Sequence, residues 1–291
     1  MKIIAVSDIH LGYEDSEIHE YSDEKSFGEF LDKLANGGLP LKNDDKITDF
    51  IICGDFLDMW RRDMAGVAIE HFEILKKLQG LEEQHEITVH YLAGNHDYHI
   101  YKNLSNKYNY PFGLRQQHPP REELSIPAWN KIYRFKHGYD FEVLMSDCER
   151  FFDLLSSTSD EAGEQHTWLW DLISKIISVG GQYFEIAPNK DKMRQLRKPF
   201  AVRIQDSEAK SGFNNSLSGA LKENSPLIFG HTHMPFHYEN DDKTAINLGS
   251  WIASESRQYD TYLEITDGQE ILWDYRKETD IKPTDVLPTI M

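Results

Sequence analysis

Five short apolar runs in this chain each end directly in a group of polar residues, and this repeated pattern most constrains the fold. The central group is Gly94-Asn95-His96-Asp97, which follows the apolar, β-branched run 87–93. The others are Asp8-Ile9-His10, Gly54-Asp55-Phe56-Leu57-Asp58, His137-Gly138 and Gly230-His231-Thr232-His233. Functional groups of parallel sheets lie at the carboxyl ends of the strands. The pattern therefore predicts a single site built from five strand ends.

The first ninety residues alternate between strand-like and helix-like patterns. Phe27, Phe30, Leu31 and Leu34 recur at helical spacing before Gly37-Gly38. A second helix is expected over 64–79, ended by Gly80, and strands are expected at 2–7, 48–53 and 87–93. This βαβαβ order predicts an α/β fold with a parallel sheet.

The remaining chain is less regular. Residues 11–23 and 98–130 are expected to be mainly loop, and the last dozen residues are expected to form a frayed tail. Turn residues at 239–242 and 267–268 predict two hairpins. The further strands are expected at 131–136, 227–230, 236–240, 244–248, 260–266 and 269–275, and the further helices at 141–156, 165–179, 190–203 and 214–222.

Composition narrows the class of protein. The chain has 291 residues, of which 40% are hydrophobic, enough for one large domain or a domain with an insertion. It carries a net charge of −18, which gives no overall attraction to nucleic acid or anionic membranes. No apolar run is long enough to span a membrane. A strand that begins at residue 2 and only two cysteines predict a cytoplasmic protein without a signal peptide.

The polar groups supply carboxylate, imidazole and amide donors and no thiolate, which suits hard or borderline divalent metals. A site for two ions also needs a carboxylate that bridges them over about 3.5–4 Å. Asp55 is the best candidate because it ends a central strand. The intrinsic pKa of His96 suits a proton donor to a leaving group, and Asp97 is expected to hold its imidazole.

Together, the five groups resemble those of the calcineurin-like metallophosphoesterase superfamily. The resemblance implies a four-layer α-β-β-α sandwich of two mixed sheets. It also implies two bound divalent metal ions, for which Mn is the expected metal and Fe or Zn are alternatives. One ion would be held by Asp8, His10, Asp55 and His233, and the other by Asp55, Asn95, His137 and His231. It also implies that His96 lies near the leaving group with Asp97 behind it, and that Asp58 lies behind the ligands.

Within that superfamily, the chain looks nearest to the UDP-2,3-diacylglucosamine hydrolases. The likeness lies in Asp8-Ile-His-Leu-Gly12, Gly54-Asp-Phe-Leu-Asp-Met-Trp60, the His137-Gly138 group and Gly230-His-Thr-His-Met-Pro235. Those enzymes typically have arginine where this chain has His96. This departure leaves the exact substrate open and favours a relative of unsettled specificity.

Three parts of the chain are expected. Residues 1–138 and 223–280 would form the core, 139–222 a helical insertion that caps the site, and 281–291 a tail. The insertion contains Arg194, Arg197 and Lys198 in a basic segment of an otherwise acidic chain. These residues either bind an anionic part of the substrate or form a solvated helix face.

Two classes of function remain open. The first is a dinuclear phosphoesterase that hydrolyses a phosphoester or pyrophosphate bond of a small-molecule, nucleotide-linked or lipid-linked substrate, which permits peripheral membrane contact. The second is a non-catalytic metal-binding scaffold with the same fold, although degenerate scaffolds lack several ligands and this chain lacks none. A phosphodiesterase or nuclease acting on nucleic acid is a further alternative, which the acidic surface disfavours. The sequence leaves the oligomeric state open.

Overall fold

Fourteen strands and four α-helices are present in the residues described by the computed structural model, which are 1–15, 20–59, 64–98, 121–142, 207–253 and 260–287. The strands are β1 (Lys2–Val6), β2 (Glu14–Asp15), β3 (Glu20–Ser22), β4 (Ile47–Cys53), β5 (Thr88–Leu92), β6 (Glu123–Ala128), β7 (Lys131–Lys136), β8 (Leu227–Phe229), β9 (Phe236–Asn240), β10 (Lys243–Asn247), β11 (Ile252–Ala253), β12 (Thr261–Thr266), β13 (Gln269–Asp274) and β14 (Thr279–Ile281). The helices are α1 (Glu24–Asn36), α2 (Met64–Glu70), α3 (Phe72–Gln84) and α4 (Ser207–Ala220), and Tyr139–Phe141 forms a 3₁₀ turn.

The strands form two mixed sheets and one small sheet. The first has the order β14-β13-β12-β1-β4-β5, with β1, β4 and β5 parallel. The second has the order β6-β7-β8-β10-β9, with β7, β8 and β10 parallel. A short three-stranded sheet has the order β11-β3-β2. Because parallel strands end at the same edge, the residues after β1, β4 and β5 come together, as do those after β7 and β8.

Side-chain alternation along β1 separates two apolar layers. Ile3 and Ala5 pack between the two large sheets, whereas Ile4 and Val6 pack beneath α1 and α3. On the outer face of the second sheet, α4 packs Phe213 and Leu217 against β8. The layers are therefore helix, sheet, sheet and helix, which confirms the predicted four-layer sandwich.

The first helix has the apolar stripe and the end that its sequence predicted, and Asp23 caps its start. The Asp23 carboxylate accepts a hydrogen bond from the Ser26 amide at 3.1 Å, as an N-cap does. Gly37 ends the helix in the left-handed conformation with φ 73°. The apolar stripe of Phe27, Phe30, Leu31 and Leu34 is buried.

The predicted helix over 64–79 is wrong in two respects. The chain breaks at His71 into α2 and α3, and α3 continues through Gly80 to Gln84. One interior glycine costs a helix only about 1 kcal/mol relative to alanine. Burial of Leu78 and Leu81 on either side of Gly80 outweighs that cost.

Pairing with distant strands corrects three expected loops. Residues 11–23 contain β2 and β3, and β3 pairs with β11. Residues 98–130 contain β6, which pairs along its whole length with β7. The expected tail begins with the end of β14, and beyond it Thr284 exchanges backbone hydrogen bonds with β9. Both predicted hairpins, β9–β10 and β12–β13, are confirmed.

The structure places both described ends of the predicted insertion in the core. The Phe141 ring lies 5.4 Å from Phe229 and 6.1 Å from Phe213, measured between ring centroids. Helix α4 begins before the predicted residue 214 and forms the outer layer of the second sheet. Residues 143–206, with the predicted cap helices and the basic residues Arg194, Arg197 and Lys198, lie outside the described residues.

Candidate metal centre

Backbone hydrogen bonds join four of the five strand ends in pairs. The amides of Asp8 and His10 donate to the carbonyls of Gly54 and Asp55 at 3.1 and 2.9 Å. The Gly230 amide donates to the carbonyl of His137 at 2.9 Å. These bonds join the ends of β1 and β4 in one sheet and the ends of β7 and β8 in the other. The site therefore lies where two edges of the sandwich meet.

Five of the polar residues at this junction have a left-handed backbone. Their φ angles lie between 49° and 67°, a region that residues other than glycine enter infrequently and that concentrates at functional sites. They are Asp8, His10, Asp55, His231 and His233. The turns that follow the strands thus hold their side chains in place at a cost in backbone strain.

Two glycines allow the loops to approach one another closely. A Cβ atom at Gly94 would lie 2.1 Å from the Asp55 Oδ1 atom, and one at Gly230 would lie 1.9 Å from the Ser7 Oγ atom. No side chain fits at either position without displacing the groups beside Asp8 and Asp55.

Four donor atoms converge at one side of the junction. The His233 Nε2 atom lies 3.2 Å from both Asp8 Oδ1 and His10 Nε2. The His10 Nε2 atom lies 3.5 Å from Asp55 Oδ2 and 3.7 Å from Asp8 Oδ1. Two ligands that bind one ion at about 2.1 Å and at right angles are separated by about 3 Å. The spacing of this first group therefore fits a single ion.

A second group of donor atoms also includes Asp55. The His137 Nε2 atom is 3.2 Å from Asp55 Oδ2 and 3.1 Å from Asn95 Oδ1. The His231 Nδ1 atom is 3.1 Å from the same Asn95 oxygen. Asp55 Oδ2 thus faces both groups, as a carboxylate that bridges two ions must.

The hydrogen bonds of Asp8 leave one oxygen for a cation. Its Oδ2 atom accepts from the Ser7 hydroxyl at 2.5 Å and from the His231 amide at 2.9 Å. Its Oδ1 atom is buried and accepts no hydrogen bond in the described part of the chain. A buried carboxylate oxygen without a donor is costly unless a cation binds it. The donor set and this oxygen therefore fit divalent metal ions.

The charges of the buried carboxylates and imidazoles favour one another. Burial opposes charging of His137, but the carboxylates of Asp55 and Asp8 raise its pKa to about 10. Burial would raise the pKa of Asp55, but His137 and His96 hold it far below the usual range. The protonated imidazole thus supplies positive charge that metal ions would otherwise provide.

His96 is oriented by Asp58, and the prediction that Asp97 holds its imidazole is wrong. The His96 Nδ1 atom lies 2.9 Å from Asp58 Oδ1. Burial lowers the pKa of His96, although the charges of Asp55 and Asp58 oppose that shift. The ring of His96 packs edge-on against that of His10, with centroids 4.7 Å apart.

Asp97 instead holds the surrounding loops. Its carboxylate accepts hydrogen bonds from the amides of Phe56 at 2.8 Å and Gly94 at 2.6 Å, and from the Tyr91 hydroxyl. Burial and the nearby charge of Asp55 raise the pKa of Asp97 to about 6. Adjacent residues in the turn point in different directions, so sequence proximity to His96 was misleading.

Two contacts behind the ligands were missed by sequence reasoning. The buried Glu142 places Oε2 3.0 Å from His231 Nε2, and the carbonyl of Cys53 lies 2.9 Å from His137 Nδ1. A glutamate five residues after His137 carries no distinguishing signal in a single sequence. A backbone carbonyl carries none at all.

A family comparison agrees with this geometry. The sequence profile of the calcineurin-like phosphoesterases matches residues 1–251, most of the chain. The chain belongs to the calcineurin-like phosphoesterase family. Membership confirms the predicted family and the predicted phosphoesterase class. The division of the ligands between two ions and the roles of His96 and Asp58 remain predictions.

Several solved structures are similar to this phosphoesterase. The Escherichia coli phosphoesterase YfcE is 14% identical, with 97% of each chain covered and a TM-score of 0.47. A dimetal phosphatase from Danio rerio is 13% identical, with 94% of this chain and 98% of that chain covered and a TM-score of 0.42. Vacuolar protein sorting 29 from Cryptosporidium parvum is 13% identical, with coverages of 96% and 93% and a TM-score of 0.40. No curated protein sequence matches the chain significantly.

Proposed function

We propose that this phosphoesterase binds two divalent metal ions and hydrolyses a phosphoester or pyrophosphate bond. The first ion would be held by Asp8, His10, Asp55 and His233, and the second by Asp55, Asn95, His137 and His231. The observation that carries the proposal is the position of Asp55 Oδ2, which lies 3.5 Å from a nitrogen of one group and 3.2 Å from a nitrogen of the other. Mn²⁺ is the proposed metal, and the nitrogen and oxygen donors also suit Fe or Zn.

When bound, such a metal pair lowers the pKa of water and neutralises charge on phosphoryl oxygens. The side chains of the chain itself determine where a substrate enters. Most of the proposed ligands are buried, but the His233 side chain is 37% exposed and that of His96 is 15% exposed. A phosphoryl group would therefore approach from the side that these two histidines share.

His96 is the proposed proton donor to the leaving oxygen. Asp58 accepts a hydrogen bond from the Nδ1 atom of His96, so the proposed donor of the transferred proton is the Nε2 atom of His96. Burial lowers the pKa of His96, and the carboxylates of Asp55 and Asp58 oppose that shift by favouring the imidazolium that such a donor requires. This assignment gives Asp58 the role of orienting and charging His96, and it gives Asp97 the structural role described above.

The proposed substrate is a small molecule with a nucleotide-linked or lipid-linked phosphoryl group. The resemblance to the UDP-2,3-diacylglucosamine hydrolases and the basic residues Arg194, Arg197 and Lys198 support this class. The net charge of −18 disfavours long nucleic acids. Within the described residues, no helix is long and apolar enough to cross a membrane. A cytoplasmic location and a cap formed by residues within 143–206 remain proposals.

A phosphate-release screen tests the function. Protein loaded with Mn²⁺ would be assayed on nitrophenyl monoesters and diesters, nucleotide-sugar pyrophosphates and single-stranded DNA. Asp55→Ala and protein treated with chelator serve as controls. We expect hydrolysis of at least one phosphoester by the loaded wild type and none by either control. Stoichiometric metal binding without any hydrolysis would favour the scaffold alternative, and preferential cleavage of DNA would favour the nuclease.

A further inference from the structure

The two proposed ion positions differ in how their imidazoles are supported. In the second group, His137 and His231 each have a partner at the ring nitrogen that faces away from the ion position. In the first group, the buried Nδ1 atom of His10 has no hydrogen-bond partner among the described residues, and His233 is partly exposed. The partner of His231 is a carboxylate rather than a carbonyl, and it is the stronger acceptor.

Glu142 can fix the tautomer of His231. Both ring nitrogens of His231 face an acceptor, the Glu142 carboxylate at 3.0 Å from Nε2 and the Asn95 amide oxygen at 3.1 Å from Nδ1. The carboxylate is the stronger acceptor, so it favours the proton of a neutral His231 ring on Nε2. The Nδ1 atom then carries the lone pair, and it is Nδ1 that lies 3.1 Å from Asn95 Oδ1. With the proton on Nδ1, the ring could not bind an ion at this position. A partner of this kind also raises the basicity of the ligating nitrogen.

Local backbone contacts place Glu142 in this position. Its amide donates to the carbonyl of Tyr139 at 3.1 Å, which closes the 3₁₀ turn, and Gly138 starts that turn with φ 99°. The neighbouring Phe141 is buried edge-on against Phe229. Because Phe229 ends the strand that leads to His231, the same packing positions both partners of the hydrogen bond.

We propose that Glu142 is a positioning residue that selects the metal-binding tautomer of His231 and thereby maintains the second ion position. The inference rests on the proposed dinuclear site and concerns only one half of it. It predicts that loss of Glu142 weakens one ion and spares the ion held by Asp8, His10, Asp55 and His233.

Metal titration tests the effect on affinity. Glu142→Leu removes the carboxylate while filling its volume, and Glu82→Leu removes another buried carboxylate, one that accepts from the Val89 amide away from the metal centre. Calorimetric titration with Mn²⁺ should show two sites in the wild type and in the Glu82 variant. In the Glu142 variant, the dissociation constant of one site should rise about 10- to 100-fold. Two unchanged dissociation constants in folded Glu142→Leu protein overturn the inference.

The tautomer can be read without any metal and without any variant. Nitrogen-15 chemical shifts of the assigned His231 ring in metal-free wild type, at a pH where the ring is neutral, should show the proton on Nε2. A proton on Nδ1 overturns the inference even if Glu142→Leu fails to fold. This reading also separates the two proposals. If wild-type protein binds fewer than two ions but carries the proton on Nε2, the dinuclear function fails and only the selection of the His231 tautomer by Glu142 stands.

Discussion

The Nδ1 atom of His96 lies 2.9 Å from Oδ1 of Asp58, a residue 38 positions earlier in the chain. This contact separates the roles of two buried aspartates. Asp58 contacts the imidazole of His96, whose side chain is partly exposed. Asp97 accepts hydrogen bonds from backbone amides of the loops around the metal centre.

Exchanging each aspartate for asparagine should therefore give different defects. Asp58→Asn should lower kcat about 10- to 100-fold for esters with poor leaving groups, because His96 loses its orientation and its anionic partner. Asp97→Asn should instead lower the free energy of unfolding by about 2 kcal/mol or more, because a donor replaces one acceptor oxygen among buried donors. Steady-state kinetics and urea unfolding measure the two effects. If Asp97→Asn lowered kcat and Asp58→Asn lowered the free energy of unfolding, Asp97 would be the residue that holds the imidazole of His96.

Removal of His96 should affect substrates unequally. If His96 protonates the leaving oxygen, His96→Ala should lower kcat about 10²- to 10⁴-fold for an alkyl phosphoester. The loss should be much smaller for a nitrophenyl ester, whose leaving group needs no proton. The wild-type rate for the alkyl ester should also fall as the pH rises through the pKa of His96. The variant should not show this decrease. Equal losses for both esters with unchanged metal content would indicate that His96 binds the phosphoryl group.

Asp55 should be needed for both ions. Asp55→Ala removes the oxygen that faces both groups of nitrogens, so we expect fewer than two ions per chain and no measurable hydrolysis. Elemental analysis after equilibrium dialysis against Mn²⁺ gives the count. Asp49→Ala is a suitable control and should keep two ions, because Asp49 lies on β4, which leads to Asp55, and pairs with His90 at 2.7 Å. Two ions in Asp55→Ala would contradict the bridging assignment.

Metal-free protein should lose stability at alkaline pH. The folded pKa of His137 is raised to about 10, above the ordinary value of 6.5, so its contribution is fully present below pH 6.5 and is lost as the pH rises to about 10. The free energy of unfolding, measured by urea titration, should therefore decrease over this window in chelated wild type. His137→Gln should remove most of that decrease. Metal-loaded protein should show a smaller decrease, because an ion replaces the proton.

A buried ion pair away from the metal centre gives a separate test of the fold. Lys2 and Glu264 are fully buried, their charged atoms lie 3.0 Å apart, and Glu264 also accepts from the Trp273 indole at 3.0 Å. Glu264→Ala should lower the free energy of unfolding by about 3–5 kcal/mol, because Lys2 stays buried without its partner. The double variant with Lys2→Met should recover part of the loss. Phosphoesterase activity below the melting temperature should not change in either variant.

The sequence by itself determined the elements whose signals are local. The apolar period of α1 and its Gly37 end lie within one stretch of chain, and both were readable. The runs that became β1, β4 and β5 were readable for the same reason. The polar groups that follow them indicated the family because their residue types and order are specific even without coordinates.

Only the tertiary structure decided the features that depend on distant partners. Strand β6 exists because β7 pairs with it, and β14 extends the edge of the first sheet. The break at His71 and the continuation through Gly80 follow from packing that a helical period does not contain.

The same distinction holds at the metal centre. Residue types and strand ends indicated which side chains meet, because carboxyl ends of parallel strands share an edge. They could not show which residue each imidazole ring would contact. His96 contacts Asp58 from the loop after β4, and His231 contacts Glu142 from a turn 89 positions away. The choice of hydrogen-bond partner depends on small differences in distance between loops, and only the folded sandwich brings those loops together.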